Sequence, residues 1–129
     1  MERPRLLLID DEPALAAFVA NAAGFSGYSA QVATDDREFR EYFLADQPNM
    51  VALDLGMPGM DGVELLRFLA EQNYSSPVLI ISGFDRRVLE SAFRLGQALG
   101  LNMTAPLEKP VRLEQLETLL TELRPTLVK

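Results

Sequence analysis

The chain has 129 residues, of which 48% are hydrophobic, and it carries a formal net charge of −7. This length favours a single domain with a substantial core, and the acidic balance argues against nucleic acid as a direct partner, because nucleic-acid binding needs clustered basic residues. The chain contains neither Cys nor His, which excludes disulfides, the common zinc sites and histidine acid–base catalysis.

The N-terminal region gives no sign of export or membrane insertion. No run approaches the roughly 18 uninterrupted apolar residues of a membrane span. The first five residues lead into only four apolar residues and then into acids, which is not the pattern of a signal peptide. We therefore expect a cytoplasmic protein without a membrane partner.

The first predicted elements are a strand and a helix. Residues 6–9 form a short apolar run, which predicts a buried strand over residues 5–9. A helix is predicted over residues 13–23, with Pro13 in its first turn, where proline is favoured. Gly24 and Gly27 are expected to end this helix, because glycine readily adopts the conformation found at helix C-termini.

The next segment alternates between apolar and polar residues. This pattern at residues 28–33 predicts a second strand near a sheet edge. Asp35 and Glu38 have the spacing of a capping box and are predicted to open a helix that runs to about residue 45. Residues 50–54 are almost entirely apolar and predict a third, buried strand.

Glycines and a proline at residues 56–60 predict a turn after the third strand. Asp61 and Glu64 repeat the capping-box spacing and open a predicted helix that runs to about residue 72. Residues 77–81 are a further apolar run and predict a fourth buried strand.

The final third of the chain predicts one strand between two helices. A helix is expected over residues 86–99, closed by Gly100, and a fifth strand over residues 103–107. The last helix is expected to stop at Pro125. One face of this helix carries leucines, which are Leu113, Leu116, Leu120 and Leu123.

Strands and helices that alternate in this way predict an α/β fold with right-handed crossovers and a parallel sheet covered on both faces. For five strands and five helices we expect the flavodoxin-like, doubly wound order 2-1-3-4-5. The domain is expected to span residues 1–124, and residues 125–129 to form a C-terminal tail or the start of a linker.

Carboxylates follow two strands that this order places side by side. Asp10 and Asp11 come directly after the first strand, and Asp54 ends the third. The carboxyl ends of parallel strands meet at one sheet edge, so the three acids are expected to converge there. Carboxylate oxygens suit Mg²⁺, although Asp10 and Asp11 alone would fit an acidic helix cap equally well.

Two further polar residues lie at the carboxyl ends of the fourth and fifth predicted strands, where Ser82 directly follows the fourth and Lys109 comes shortly after the fifth. Ser82 is followed by Gly83, and Lys109 by Pro110, whose peptide bond can be cis at modest cost. A surface lysine and an ordinary turn are the alternative interpretations. Placed beside the acids, the ammonium and hydroxyl groups would suit a bound phosphoryl group.

The motifs at residues 6–13, 54–62, 80–85 and 107–110 together resemble the receiver domain of two-component response regulators. They occur in the family's order and at suitable spacing, and they cover nearly the whole chain. The resemblance implies that Asp54 is the phosphoacceptor. It also implies that Asp11 and Asp54 bind Mg²⁺ directly with the backbone carbonyl of Gly56, and that Asp10 acts mostly through water.

The same resemblance assigns the remaining site residues. Ser82 would hydrogen-bond the phosphoryl group and move in the switch together with Gly83, and Lys109 would pair with a phosphoryl oxygen. The family often has Tyr or Phe three residues before the lysine, where this chain has Pro106. Phe84, in the loop after Ser82, is therefore a candidate reporter of phosphorylation, and an aromatic side chain that only packs on that loop is the alternative interpretation.

The resemblance implies a signalling switch that catalyses only its own phosphotransfer and autodephosphorylation. The donor would be a sensor histidine kinase or a histidine phosphotransfer protein, since this chain has no His. The output would be a domain or partner protein, and residues 95–101 with 107–110 look similar to receivers joined to cyclic-di-GMP phosphodiesterases. A homodimer through the fourth and fifth helices is a further expectation, based on apolar residues such as Phe93, Leu95 and Leu119.

Three other classes stay open at this point. An aspartate-nucleophile phosphatase uses similar groups, but its first two acids are separated by one residue. A flavodoxin-like FMN-binding protein needs a phosphate loop where this chain has Asp10, Asp11 and Glu12, whose charges would repel the phosphate. A receiver-like docking module without phosphorylation is the third, since Pro106 departs from the family pattern.

Overall fold

The structure, a computed structural model, describes residues 3–55, 62–83, 86–104 and 106–127. Strands and helices alternate along the chain. The strands are β1 (Arg5–Ile9), β2 (Ser29–Ala33), β3 (Met50–Asp54), β4 (Pro77–Ser82), β5 (Asn102–Met103) and β6 (Leu107–Glu108). The helices are α1 (Pro13–Phe25), α2 (Asp36–Ala45), α3 (Gly62–Glu71), α4 (Arg86–Ala98) and α5 (Leu113–Leu127). No helix among the described residues is both long and apolar enough to cross a membrane.

The strands form one parallel sheet in the order β2-β1-β3-β4-β5, and β6 also pairs with β4. This confirms the predicted order and the edge position of β2. Every residue of β3 and β4 is buried, as expected for central strands with helices on both faces. One core lies under α2, α3 and α4, and a second lies under α1 and α5.

Helix α1 ends two residues later than predicted. Gly24 lies inside the helix, and Gly27 has the left-handed backbone, with φ of +91°. The backbone N–H of Ser26 still donates to the carbonyls of Ala22 and Ala23. The prediction that Gly24 ends the helix is wrong, because only one of the two glycines is needed for the turn.

The capping box at α2 is half confirmed. Asp35 accepts a hydrogen bond from the Glu38 N–H at 2.8 Å, as predicted for the N-cap. The Glu38 carboxylate, however, accepts from the N–H and the hydroxyl of Thr34, at 2.9 and 2.8 Å. Asp61, the predicted cap of α3, lies outside the described residues.

The predicted fifth strand is two short strands. Both parts pair with β4, where Val78 lies opposite Met103 and Ile81 opposite Leu107. Pro106 lies between the parts, and proline has no N–H to donate to a strand ladder. A single strand over residues 103–107 is therefore a wrong prediction.

Helix α5 continues past Pro125 to Leu127, so the prediction that this proline stops the helix is wrong. A proline in a last turn removes one hydrogen bond, and the helix gains only two residues beyond it. Of the leucine face, Leu116 and Leu120 are fully buried and Leu123 is half-buried, whereas Leu113 is exposed.

A buried tyrosine ties α5 to the start of β2. The Tyr28 hydroxyl, in a side chain that is 1% exposed, donates to the Leu120 carbonyl at 2.8 Å. Arg124, one turn further along α5, packs against Gly27, where a Cβ atom would collide with its side chain. The C-terminal half of α5 is therefore fixed to the corner between α1 and β2.

We expect Tyr28→Phe to lower the free energy of unfolding by about 1 kcal/mol, because it removes one buried hydrogen bond without emptying the site. Chemical denaturation would measure this change. Tyr42→Phe is the matched control, since its hydroxyl makes only a 3.4 Å contact with Glu38 on a half-buried side chain. An equal loss in both variants would contradict the assignment.

Candidate functional site

The predicted acids meet at the carboxyl edge of β1 and β3. Ile9 lies opposite Leu53 in the parallel register, so Asp10 and Asp54 occupy neighbouring strand ends. Each of Asp10, Asp11 and Asp54 offers a carboxylate oxygen, and the three oxygens lie within 4.8 Å of one another. The structure thus brings together the three side chains that the sequence predicted as ligands of a divalent cation.

The three carboxylates differ in exposure. Asp10 and Asp54 are 1% and 2% exposed, whereas Asp11 is on the surface. One Asp10 oxygen accepts the backbone N–H of Glu12 at 2.9 Å, and the other is buried and has no hydrogen-bond partner among the described residues. A buried polar atom of this kind is costly unless something binds to it.

Burial is the main cause that raises the pKa of Asp10 to about 6. The hydrogen bond from the Glu12 N–H acts in the opposite direction, and the nearby Asp54 carboxylate raises the pKa again. Two carboxylates held together away from water resist being charged at the same time. A positive group bound between them would relieve that repulsion.

Lys109 supplies one positive charge at this site. Its Nζ lies 3.1 Å from Oδ2 of Asp54, and its side chain is 22% exposed. The backbone N–H of Lys109 donates to the Ser82 carbonyl at 2.9 Å, so the pairing of β4 with β6 fixes the backbone position of Lys109 at this edge. The Lys109–Pro110 peptide bond is cis. The structure therefore places Lys109 beside the acids, as the sequence predicted.

Gly83 leaves the space through which the Lys109 side chain passes. A Cβ atom at position 83 would lie 2.9 Å from Cδ and 3.0 Å from Cβ of Lys109. These distances are shorter than normal van der Waals contact, so any larger residue would displace the lysine. The small residue after Ser82 thus makes room for Lys109 itself.

Ser82 ends β4 and is 2% exposed. Its hydroxyl oxygen is buried and has no hydrogen-bond partner among the described residues. Together with the unpaired oxygen of Asp10, it is one of two buried polar side-chain atoms of the described structure that lack a partner. Both belong to residues at the same edge of the sheet, which is where a ligand would satisfy them.

Glu12 is the site residue that the sequence did not predict. It occupies the N-cap of α1, yet its side chain makes no capping hydrogen bond. Its Oε2 lies 3.8 Å from Nζ of Lys109 instead. The sequence contained one signal, the acid directly after Asp10 and Asp11, but the residue that its side chain contacts lies about a hundred positions away.

Of three further residues that the sequence singled out, the structure describes one. Gly56 and Phe84 lie outside the described residues, so their assigned roles stay predictions. Pro106 is half-buried and directly precedes β6. The position where the family often has Tyr or Phe therefore lies directly before β6, and Lys109 directly follows that strand.

The comparisons with known proteins can now be set beside this geometry. The model of the response regulator receiver domain family matches residues 6–121. The chain belongs to this family. It is a receiver domain of the two-component signalling type, with the parallel sheet order 2-1-3-4-5 of that group.

Sequence relatives of this receiver domain are longer proteins. The transcriptional regulatory protein TrcR of Mycobacterium tuberculosis is 35% identical over 112 residues, which are 87% of this chain and 42% of TrcR. The response regulator MprA of Mycolicibacterium vanbaalenii is 35% identical over 81 residues, 63% of this chain and 35% of MprA. The chain thus spans well under half the length of these relatives.

Solved receiver structures superimpose along almost the whole chain. A response regulator from Colwellia psychrerythraea is 30% identical, with a TM-score of 0.78 over 97% of this chain and 99% of that one. The receiver domain of the Francisella response regulator 1452 is 25% identical, with a TM-score of 0.79 over 95% and 98%. The chemotaxis response regulator CheY4 of Vibrio cholerae, at 22% identity and a TM-score of 0.78 over 95% and 99%, shares the fold.

Proposed function

We propose that this receiver domain accepts a phosphoryl group on Asp54 in a Mg²⁺-dependent reaction and then changes conformation to control an output partner. The observation that carries the proposal is a buried carboxylate, Asp54, with an ammonium group at 3.1 Å and two further carboxylates beside it. A lone buried acid would be a structural cost, whereas this set combines a nucleophile with groups that neutralise charge.

The residues present fit a magnesium ion. The donors are all carboxylate oxygens, which Mg²⁺ prefers, and one buried oxygen of Asp10 has no partner among the described residues. Asp10, Asp11 and Asp54 would hold the ion, with the Gly56 carbonyl as a further proposed ligand. When bound, the ion would supply positive charge that offsets the charge of the transferred phosphoryl group.

In the proposed step, a carboxylate oxygen of Asp54 forms a bond to phosphorus while the bond from phosphorus to the donor's leaving group breaks. The product is an aspartyl phosphate. Lys109 is close enough to follow the negative charge from the carboxylate to a phosphoryl oxygen. The unpaired hydroxyl of Ser82 would donate a hydrogen bond to the same group.

The proposed donor is the phosphohistidine of a sensor kinase or of a phosphotransfer protein, because the chain has no His of its own. The output is proposed to be a domain or a partner protein, with a cyclic-di-GMP enzyme as one candidate. Phe93, Leu95 and Leu119 are half-buried rather than fully exposed, so the proposed homodimer through α4 and α5 would rest on a modest apolar surface. We propose the cytoplasm as the location.

The proposal is tested by incubating the protein with acetyl phosphate, with Mg²⁺ or with a chelator. We expect intact mass to show one added phosphoryl group only when Mg²⁺ is present, and peptide mapping to place it on Asp54. Continuous hydrolysis of acetyl phosphate or of other small phosphoesters, without a stable modified protein, would instead favour an aspartate-nucleophile phosphatase. Labelling at another residue would overturn the site.

We expect Gly83→Ala to slow this labelling severalfold, because the added Cβ would lie 2.9 Å from Cδ of Lys109 and push the ammonium group away from Asp54. Initial labelling rates with acetyl phosphate would measure the effect. Gly24→Ala is the matched control, since a Cβ atom there would meet nothing within 4 Å. Equal rates for Gly83→Ala and the unaltered protein would show that the lysine is not constrained by this contact.

A further inference from the structure

Lys109 is shared between two carboxylates that lie at different depths. Its Nζ is 3.1 Å from Asp54, whose side chain is 3% exposed, and 3.8 Å from Glu12, whose side chain is 60% exposed. Asp54 therefore lies at the bottom of the site and Glu12 at its mouth. The ammonium group connects them.

The Glu12 side chain does not cap the helix that it begins. Short polar side chains such as Asp or Ser at an N-cap commonly accept a backbone N–H of the first turn, and the longer Glu12 side chain does not. Its backbone N–H is already committed to Asp10. The carboxylate is thus available to act on the site through its charge, and its contact with Lys109 holds that charge close to Asp54.

The two acids share one nitrogen, so Oε2 of Glu12 lies at most about 7 Å from Oδ2 of Asp54. A phosphoryl donor that reaches Asp54 brings its own negative charge to within about that distance of Glu12. Each additional unit of negative charge on the donor is repelled by Glu12 across about 7 Å. In a water-like medium this repulsion lowers the rate of encounter with Asp54 about threefold. Glu12 also competes with an anionic donor for the ammonium group of Lys109.

We propose that Glu12 is a specificity-determining residue that disfavours small, highly charged phosphoryl donors at Asp54. This inference rests on the proposed function and names the regulation of the same site. The residue does not take part in the transfer. In that step the Asp54 oxygen bonds to phosphorus and the leaving group departs, as acetate from acetyl phosphate or as ammonia from phosphoramidate.

The test compares these two donors, because acetyl phosphate is a dianion at neutral pH and phosphoramidate carries less net negative charge. We expect Glu12→Gln to raise the labelling rate with acetyl phosphate about threefold relative to the rate with phosphoramidate at low salt. The gain should vanish near 1 M salt, where the Debye length falls to about 3 Å. Glu12→Asp keeps the charge and should restore most of the original ratio.

Glu41→Gln is the matched control for the change in net charge. Glu41 is 59% exposed and forms a comparable ion pair with Arg37 at 3.6 Å, but it lies on α2. In Glu41→Gln, the ratio of the labelling rate with acetyl phosphate to the rate with phosphoramidate should stay unchanged. A rise of the same size with both donors in Glu12→Gln, or the same ratio change in Glu41→Gln, would overturn the inference.

A second measurement does not depend on phosphoryl transfer. Lys109 is one of only two lysines in the chain, the other being Lys129, so ¹³C-labelled lysine gives two assignable side-chain signals. Lys129→Arg identifies them. We expect Glu12→Gln to shift the Lys109 signal and Glu41→Gln to leave it in place, and an unmoved signal would overturn the inference. Absence of labelling with either donor would overturn the proposed function and the inference with it, whereas labelling with an unchanged donor ratio would overturn the inference alone.

Discussion

Asp54→Asn is expected to reduce phosphoryl labelling to background with any donor. The amide has nearly the shape of the carboxylate but lacks the anionic oxygen that bonds to phosphorus. It also removes one of the three clustered negative charges, so the affinity for Mg²⁺ should fall with the labelling. Intact-mass measurement after incubation with acetyl phosphate and Mg²⁺ would detect both the loss of labelling at Asp54 and any residual modification elsewhere.

The control for this variant is Asp46→Asn. Asp46 is 77% exposed, lies at the end of α2 and pairs with Arg5 at 2.8 Å. It carries the same chemical change but lies beside the amino end of β1, on the opposite side of the sheet from the carboxyl ends that carry the site, and its labelling should match that of the unaltered protein. Labelling of Asp54→Asn at the rate of the unaltered protein would refute Asp54 as the acceptor.

Asp10→Asn is expected to stabilise the metal-free protein at neutral pH. The pKa of Asp10 is about 6 in the folded protein, compared with an ordinary value of 3.8. The folded state therefore binds a proton more tightly than the unfolded state does, and folding loses stability as the pH rises from about 4 to about 6. Above that window, the charged Asp10 carboxylate lowers the free energy of unfolding by its full amount. The neutral amide of Asp10→Asn would recover about 1–3 kcal/mol of that loss.

Denaturation curves in a chelating buffer would measure this effect. The advantage of Asp10→Asn should be largest above pH 7 and should shrink as the pH falls toward 4, where Asp10 of the unaltered protein takes up its proton. Added Mg²⁺ should stabilise the unaltered protein and have less effect on the variant. A destabilised variant at pH 7, or an advantage independent of pH, would contradict the raised pKa. Asp46→Asn should instead give a small loss, since it removes a surface ion pair.

Local patterns were enough to predict the sheet and the strand ends that carry the site. The apolar runs that form β1, β3 and β4 are each followed or closed by a polar residue of the proposed site. For Asp10 and Asp54, the alternation of strands and helices favours a doubly wound sheet, and the expected order 2-1-3-4-5 makes the two acids neighbours, as the register of β1 with β3 confirms. Lys109 followed from the same rule.

The predictions that were wrong or missing concern features that sequence spacing does not show. Glu12 was considered only as part of an acidic run, because its contact with Lys109 is made by a residue from the opposite end of the chain. Gly24 and Gly27 are the same residue type, so spacing alone does not tell them apart. In the structure Gly27 has the positive φ and lies against Arg124, whereas a Cβ atom at Gly24 would meet nothing within 4 Å. The helix passes Pro125 by only two residues, because a proline in the last turn removes one hydrogen bond and does not end the helix at once.

The interruption of the strand beside β4 changes what the sheet presents to other molecules. An edge strand with a continuous row of free N–H and C=O groups can recruit a strand from another chain. At the β5–β6 edge that row is broken into two pieces of two residues each, separated by Pro106. The opposite edge, β2, is an unbroken strand of five residues. Any strand addition that links copies of this domain would therefore begin at β2.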